Sequence, residues 1–447
     1  MKILLDAYFD NNFGDDLFID TLLGRYPQAR FYVFWKKAHP QVLERARQFQ
    51  NLIIMPGNCE LQWMLRFDGY IMIGGDVLPD GIDYSERVAW MSHVKGNGGF
   101  VAMLGFSLYE TYGEKTRTDL HTMAMLADAI VIRDHYSAKR FQGLVPDVAV
   151  VESTDMAFAR EYGNLEEKKI ILGIAPRRKL YSMDEEHTAY CKGIASVANK
   201  WLKIHRTGKV RFLAFSTGEY DDNVTVNDIR SYMDEKNRTE LFAYADNISD
   251  FLKNIQECSA LLPTRFHALV LALIYDISFV PIPYEVKMTQ LLDEVSYSGI
   301  RLPYGRSFSE DMVIQTLQEL ECKLVDSEAM EKYQRKSEKF FVDLDALMKE
   351  KSVHEERGSF LCQRQIAKEI EQLKIENQYL KDQNLYLKKQ EKELTDWVNS
   401  LKKERLAFET QNQELNAISL KQWEQLVQIT DDYAALDEKY QELLNRR

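Results

Sequence analysis

Pro263-Thr264-Arg265-Phe266-His267-Ala268 lies between a short apolar strand and a nearly all-apolar helix. A helix apolar on every side is buried, and its N-terminus offers unpaired N–H groups and positive partial charge. Arg265 and His267 at that position concentrate donors for an anion. The same terminus favours the neutral imidazole, so His267 reads as a base until a bound anion raises its affinity for a proton. A core histidine with one hydrogen bond is the plainer reading of His267. Arg265 argues against it, because an arginine just ahead of a buried helix needs an anionic partner.

Ligands of open α/β sheets sit at the carboxyl ends of the strands, which directs attention to two further loops. Asp10-Asn11-Asn12-Phe13-Gly14-Asp15-Asp16 follows the first strand and precedes the first helix. Gly14 allows backbone to approach a ligand closely, and Asp15 or Asp16 is expected to cap the helix. Capping alone would also explain that loop. Gly74-Gly75-Asp76 ends the strand Tyr70–Ile73, without the GxGxxG of a dinucleotide site. Arg133 follows the strand Ala129–Ile132, and Lys287 follows Pro281-Ile282-Pro283-Tyr284. The bland readings are a surface salt bridge to Asp134 and a solvated lysine.

The elements that must position these loops alternate. Lys2–Ala7, Arg30–Trp35, Gly69–Ile73, Gly99–Leu104 and Ala129–Ile132 read as strands, with helices at Asp16–Arg25 and Thr116–Ala127. A second set has strands at Lys169–Ala175, Val210–Phe215, Ser259–Leu262 and Ser278–Pro281, with helices near Thr188–His205 and at Ala268–Tyr275. Such alternation predicts two parallel α/β domains. The polar stretch Glu161–Lys168 separates them, so the expected domains are 1–163 and 164–308, followed by a helical connector at 309–358.

All ten prolines lie between Pro27 and Pro303, and the last glycine is Gly358. Beyond it the series Ile366, Leu373, Leu380, Leu387, Leu394, Leu401, Phe408, Leu415, Gln422, Ile429, Leu436, Leu443 is apolar at eleven of twelve seven-residue steps. This is a coiled-coil d series, placing a coil at 359–447. Asn377, Asn384 and Asn412 fall at a, and the pairs Glu369–Lys374 and Glu376–Lys381 carry the signs a parallel dimer wants. A parallel homodimer through residues 366–443 is expected, as a rod of roughly 120 Å. A solvated single helix and a heteromeric partner are the alternatives.

The 447 residues suggest about three domains. Their net charge of −12 argues against nucleic acid or an anionic membrane as the main partner. The five cysteines form no CxxC, so neither a disulfide framework nor a metal-ligand cluster is visible. The start Met-Lys-Ile-Leu-Leu meets Asp6 without a secretory apolar run, and Ala268–Ile282 is broken by Asp276 and Pro281. A cytoplasmic protein without an integral membrane segment is expected.

Taken together, Asn12-Phe13-Gly14-Asp15-Asp16, Gly74-Gly75, Ile132-Arg133-Asp134-His135-Tyr136-Ser137, and Arg265-Phe266-His267-Ala268 followed by Pro281 through Lys287 resemble the polysaccharide pyruvyl transferase family. The resemblance covers about residues 1–300 in order. It departs at Asp76, where a third small residue is usual, at Ala7-Tyr8-Phe9-Asp10, and at Gly105-Phe106-Ser107-Leu108. It implies two Rossmann-like domains in a GT-B-like arrangement, with the acceptor and part of the donor site on the first and phosphoenolpyruvate on the second. The implied reaction moves a pyruvyl group from phosphoenolpyruvate to a sugar of a cell-surface glycan or glycolipid precursor as a ketal, with no cofactor and no metal. His267 would act as acid/base and Asp15 would orient the acceptor hydroxyl. Arg133 and Arg265 would clamp the donor, with Phe266, Lys287, Asn12, Gly14, Gly74 and Gly75 lining the substrate. A nucleotide-sugar glycosyltransferase and a non-catalytic coiled-coil scaffold stay open as alternatives.

Overall fold

The computed structural model describes the chain except residues 10, 36–48, 57–64, 164–165, 180–181, 219–220, 246, 319–323, 359–361 and 445–447, and except the side chains of 35, 56, 352–380, 382, 384–387, 408, 429–437 and 439–444. It forms two compact units, 1–368 and 369–447.

The first unit holds two parallel sheets, the α/β architecture expected from the alternation. One comprises β1 (Lys2–Asp6), β2 (Arg30–Trp35), β3 (Leu52–Pro56), β4 (Gly69–Ile73), β5 (Phe100–Phe106), β6 (Ala129–Ile132) and β7 (Val151–Glu152), in the order β3-β2-β1-β4-β5-β6-β7. The other comprises β8 (Lys169–Ala175), β9 (Lys209–Ala214), β10 (Thr239–Ala243), β11 (Cys258–Pro263) and β12 (Ser278–Phe279), in the order β10-β9-β8-β11-β12. β4, β5 and β6 are buried along their whole length. Continuous apolar runs such as Gly69-Tyr-Ile-Met-Ile73 suit a parallel sheet covered on both faces, where no strand side faces water.

Each order reverses once, between β1 and β4 and again between β8 and β11. Where the order reverses, the loops leave in opposite directions and open a crevice at the strand ends. The loops beginning at Ala7, Gly74 and Thr264 all leave such strands, so topology alone brings the three candidate segments to the two crevices.

The connector after the second sheet serves both halves. Tyr333 packs into one core with Phe158, while Phe340, Phe341, Leu344 and Met348 pack into the core of the first sheet. Gly105 takes a positive φ of 73°, and a Cβ there would stand 3.0 Å from the Phe340 ring.

The second unit belongs to one helix, Cys362–Leu444. Its Leu394, Leu401 and Leu415 at d and Val398 and Leu426 at a are all exposed. The pairs Glu369–Lys374 and Glu376–Lys381 involve side chains outside the described set. No helix among the described residues is long and apolar enough to cross a membrane.

Candidate functional site

The segment after β1 crosses to the second sheet. Asn12 bridges to Ser216, Phe13 N–H donates to Phe215 O at 2.8 Å, and Thr217 N–H donates to Asn11 O at 3.2 Å. Phe13 is fully buried there, edge-on to Phe215 and Tyr244 at 5.3 and 5.2 Å. Tyr244 in turn donates its hydroxyl to buried Asp16 at 2.6 Å. The cap of the helix Phe13–Arg25 is Asn12, whose Oδ1 accepts from Gly14 N–H at 3.0 Å. This corrects the expectation that Asp15 or Asp16 caps it: the helix begins three residues earlier than Asp16, which leaves both acids in its first turn. Asp15 is half-buried in that turn.

Anchoring Phe13 brings Gly14 against His267. A Cβ on residue 14 would stand 2.0 Å from His267 Nδ1, so only glycine lets the imidazole lie where it does. The ring of Phe18 meets the imidazole edge-on at 5.2 Å. His267 Nε2 faces Asp155 Oδ2 at 3.8 Å, and neither atom has a hydrogen bond among the described residues. Burial holds the His267 pKa down to about 4, with Arg133 and Lys287 pushing the same way and Asp155 opposing. The ring is therefore neutral near pH 7.

Arg133 is almost fully buried behind Gly75, where a Cβ would stand 2.2 Å from its Nη1. Its Nε donates to Ser107 Oγ at 2.6 Å, its Nη1 lies 3.5 Å from Asp155 Oδ2, and its Nη2 lies 3.4 Å from Asp76 Oδ1. Asp134, the partner expected on the bland reading, instead caps the next helix through Ser137 N–H at 2.7 Å. Lys287 reaches the same spot from the second sheet and donates to Asp76 Oδ2 at 2.7 Å and to Glu285 Oε2 at 2.8 Å. Both cations share one face-forming ring: Arg133 Cζ is 5.2 Å and Lys287 Nζ 5.6 Å from the centre of Phe266. Such cation–π contacts are worth about 0.5–2 kcal/mol each.

Arg265 is not in this group. Its Nε donates to Asp222 Oδ2 at 2.8 Å and its Nη2 to Asp222 Oδ1, a buried two-point pair. Asp222 also accepts from Phe215 N–H and Ser216 N–H at 3.0 and 3.1 Å. The anionic partner that Arg265 requires is thus a side chain of the protein, and the pair locks the loop after β11 to the loop after β9.

Asp76 sits on both cations. Burial works to raise its pKa, but Lys287 and Arg133 more than reverse this and hold the carboxyl well below the usual carboxylate range. Its side chain remains 51% exposed, so it can swing away. The sequence gives no site role to Asp155, Asp222 or Arg177, whose guanidinium lies 5.7 Å over Tyr284, and it names Ser107 only within a departure. Ser107, Asp155 and Arg177 follow a strand end within three residues, and Asp222 opens the helix after β9. The arrangement can bind a small anion between Arg133 and Lys287 and exchange a proton with it through His267.

The model of the family described as polysaccharide pyruvyl transferase matches residues 4–286. No curated protein sequence matches the chain. Among solved structures, a putative UDP-N-acetylglucosamine 2-epimerase from Listeria monocytogenes is 11% identical, covering 79% of this chain and 96% of its own, with a TM-score of 0.48. The UDP-GlcNAc 2-epimerase from Neisseria meningitidis is 12% identical, covering 78% and 100%, with a TM-score of 0.49. The E. coli ADP-heptose LPS heptosyltransferase II is 15% identical, covering 72% and 98%, with a TM-score of 0.38.

Proposed function

Because the chain belongs to the polysaccharide pyruvyl transferase family, we propose that it transfers a pyruvyl group from phosphoenolpyruvate to a sugar of a surface-glycan precursor. The observation that carries the donor assignment is that Arg133 and Lys287 share Phe266 and Asp76 beside a neutral His267. Phosphoenolpyruvate brings a carboxylate and a phosphate, which one guanidinium and one ammonium can divide between them.

In this reading Asp76 holds the place of the donor's anion. Two cations here face the carboxylates of Asp76, Asp155 and Glu285, a balance that opposes a dianion until Asp76 turns outward. The donor then brings His267 a proton-stabilising charge, and Asp155 stands ready to support the imidazolium. His267 protonates the methylene carbon of the enol, leaving an oxocarbenium-like centre that one sugar hydroxyl attacks. A second hydroxyl, giving its proton to the now neutral His267, displaces phosphate and closes the ketal. Asp15 takes the acceptor proton from the first-domain side.

Calorimetric titration of phosphoenolpyruvate tests the donor site without a known acceptor. Arg133→Ala and Lys287→Ala should each weaken binding by about 10-fold or more, since each removes a charge-assisted arm worth roughly 1.5–3 kcal/mol. Asp76→Asn should tighten it, because the competing anion is gone. A folded wild-type protein that ignores phosphoenolpyruvate and binds a nucleotide sugar would replace this reading with glycosyl transfer.

We further propose that the long helix pairs with a second copy in parallel. Its exposed Leu394 and Leu401 lie one heptad apart at d, and asparagines at a favour two strands. Leu394→Asp with Leu401→Asp should convert a dimer into a monomer in sedimentation equilibrium, with pyruvyl transfer per chain unchanged. A wild-type monomer at micromolar concentration would leave the rod to another partner. The cytoplasm, where phosphoenolpyruvate is made, is the proposed location.

A further inference from the structure

A cluster outside the anion site gathers two residues of one helix and one of another. His187 and Cys191 lie one turn apart on the helix Asp184–Ile204, so their side chains share a face. Asp228 comes from the helix Asp222–Ser231. His187 Nε2 is 2.9 Å from Asp228 Oδ2 and 3.6 Å from Cys191 Sγ, and the three ligand atoms all lie within 4.8 Å of one another.

The orientation speaks against a nucleophilic triad. A catalytic imidazole takes the thiol on one nitrogen and the carboxylate on the other. Here both approach Nε2, while Nδ1 is 3.2 Å from the Tyr304 hydroxyl. Three different donor atoms within 4.8 Å of one another, with the far imidazole nitrogen held by a hydroxyl, instead fit a metal-binding histidine and its outer partner.

We propose that His187, Cys191 and Asp228 bind one Zn2+ ion, with water as the fourth ligand. Ordinary zinc bond lengths put tetrahedral neighbours about 3.4 Å apart for nitrogen and oxygen and about 3.6 Å for nitrogen and sulfur. The sulfur distance already fits. The carboxylate must open by roughly half an ångström, and Asp228 is 46% exposed and free to turn. A thiolate, an imidazole and a carboxylate together select zinc over magnesium or calcium. Binding releases the Cys191 proton to solvent, so the affinity rises with pH.

The ion would clasp two helices that frame the Arg265 loop. Asp222, which holds Arg265, begins the helix that carries Asp228. Tyr304 stacks on Tyr190 at 4.5 Å, and the Tyr190 hydroxyl meets Thr264 Oγ1 at 2.8 Å, next to Arg265.

The test uses the full chain, stripped with chelator and titrated with Co2+ as a spectroscopic stand-in. One equivalent should produce tetrahedral visible bands and a thiolate-to-cobalt charge-transfer band, both displaced by Zn2+, and Zn2+ should raise the melting temperature. Cys191→Ser should abolish the charge-transfer band. Asp228→Asn, a half-exposed site, should keep that band but weaken binding about 10-fold or more. Circular dichroism confirms that both variants fold. No charge-transfer band at one equivalent, or one that persists in Cys191→Ser, overturns the assignment.

Discussion

Replacing His267 with glutamine should lower pyruvyl transfer by about 10²–10⁴-fold while changing phosphoenolpyruvate affinity far less, the signature of a lost general acid. Glutamine keeps a polar group of similar reach behind Gly14 but cannot deliver a proton to carbon. The free enzyme holds the imidazole neutral, because burial first, then Arg133 and Lys287, depress its pKa to about 4. A donor dianion between those cations removes their influence and adds its own, so binding should draw a proton onto the ring. Calorimetry in two buffers of different ionisation enthalpy should then show proton uptake by wild type and none by His267→Gln.

The same shift has a consequence for stability. A histidine whose folded-state pKa lies below its ordinary 6.5 is protonated first in the unfolded chain. Wild type should therefore lose stability as the pH falls from about 6.5 through 4, and the glutamine variant should lose less. A rate within 10-fold of wild type for His267→Gln would remove the imidazole from the chemistry and leave it as packing beside Phe18.

What the sequence disclosed about this site follows from how local each signal is. Arg133 and His267 stand out because one ends an apolar run and the other opens a buried helix, whereas Lys287, beyond Glu285, reads as a solvated lysine and joins the site only through Asp76 and Phe266. The doubly wound sheets were legible for a similar cause: β4, β5 and β6 are unbroken apolar stretches bounded by glycine or polar residues. β10, by contrast, is an edge strand whose Thr239-Glu-Leu-Phe-Ala243 is partly exposed throughout, and it offers no such run. Asp155 was hidden because Ser153-Thr154-Asp155 reads as an ordinary turn and cap. It does cap a short helix, through Ala157 N–H at 3.0 Å, and only its second oxygen faces the site. Phe13 lies inside a motif of polar residues and glycine, and its burial against Phe215 and Tyr244 depends on how two sheets meet, which no local pattern encodes. Asp76 was legible as a departure, but its contact with Lys287 spans 211 residues.

Arg265 shows where the physics was right and the partner wrong, and it sets the largest expected loss of stability. Arg265→Met should destabilise the folded chain by about 3–5 kcal/mol, because it strands the Asp222 carboxylate in a site where that side chain is only 2% exposed. The pair joins residues 43 apart, and both Asp222 oxygens are engaged by the guanidinium. Adding Asp222→Leu should recover much of the loss, since removing both charges leaves no unpaired ion in the interior. A double-mutant cycle read by urea unfolding separates the coupling from the two single effects. The repaired double variant should still bind phosphoenolpyruvate, because Arg133 and Lys287 are untouched. If Arg265→Met instead unfolds like wild type and fails to bind phosphoenolpyruvate, the guanidinium must leave Asp222 to clamp the donor. The two-arginine clamp expected from the sequence would then hold in the bound state.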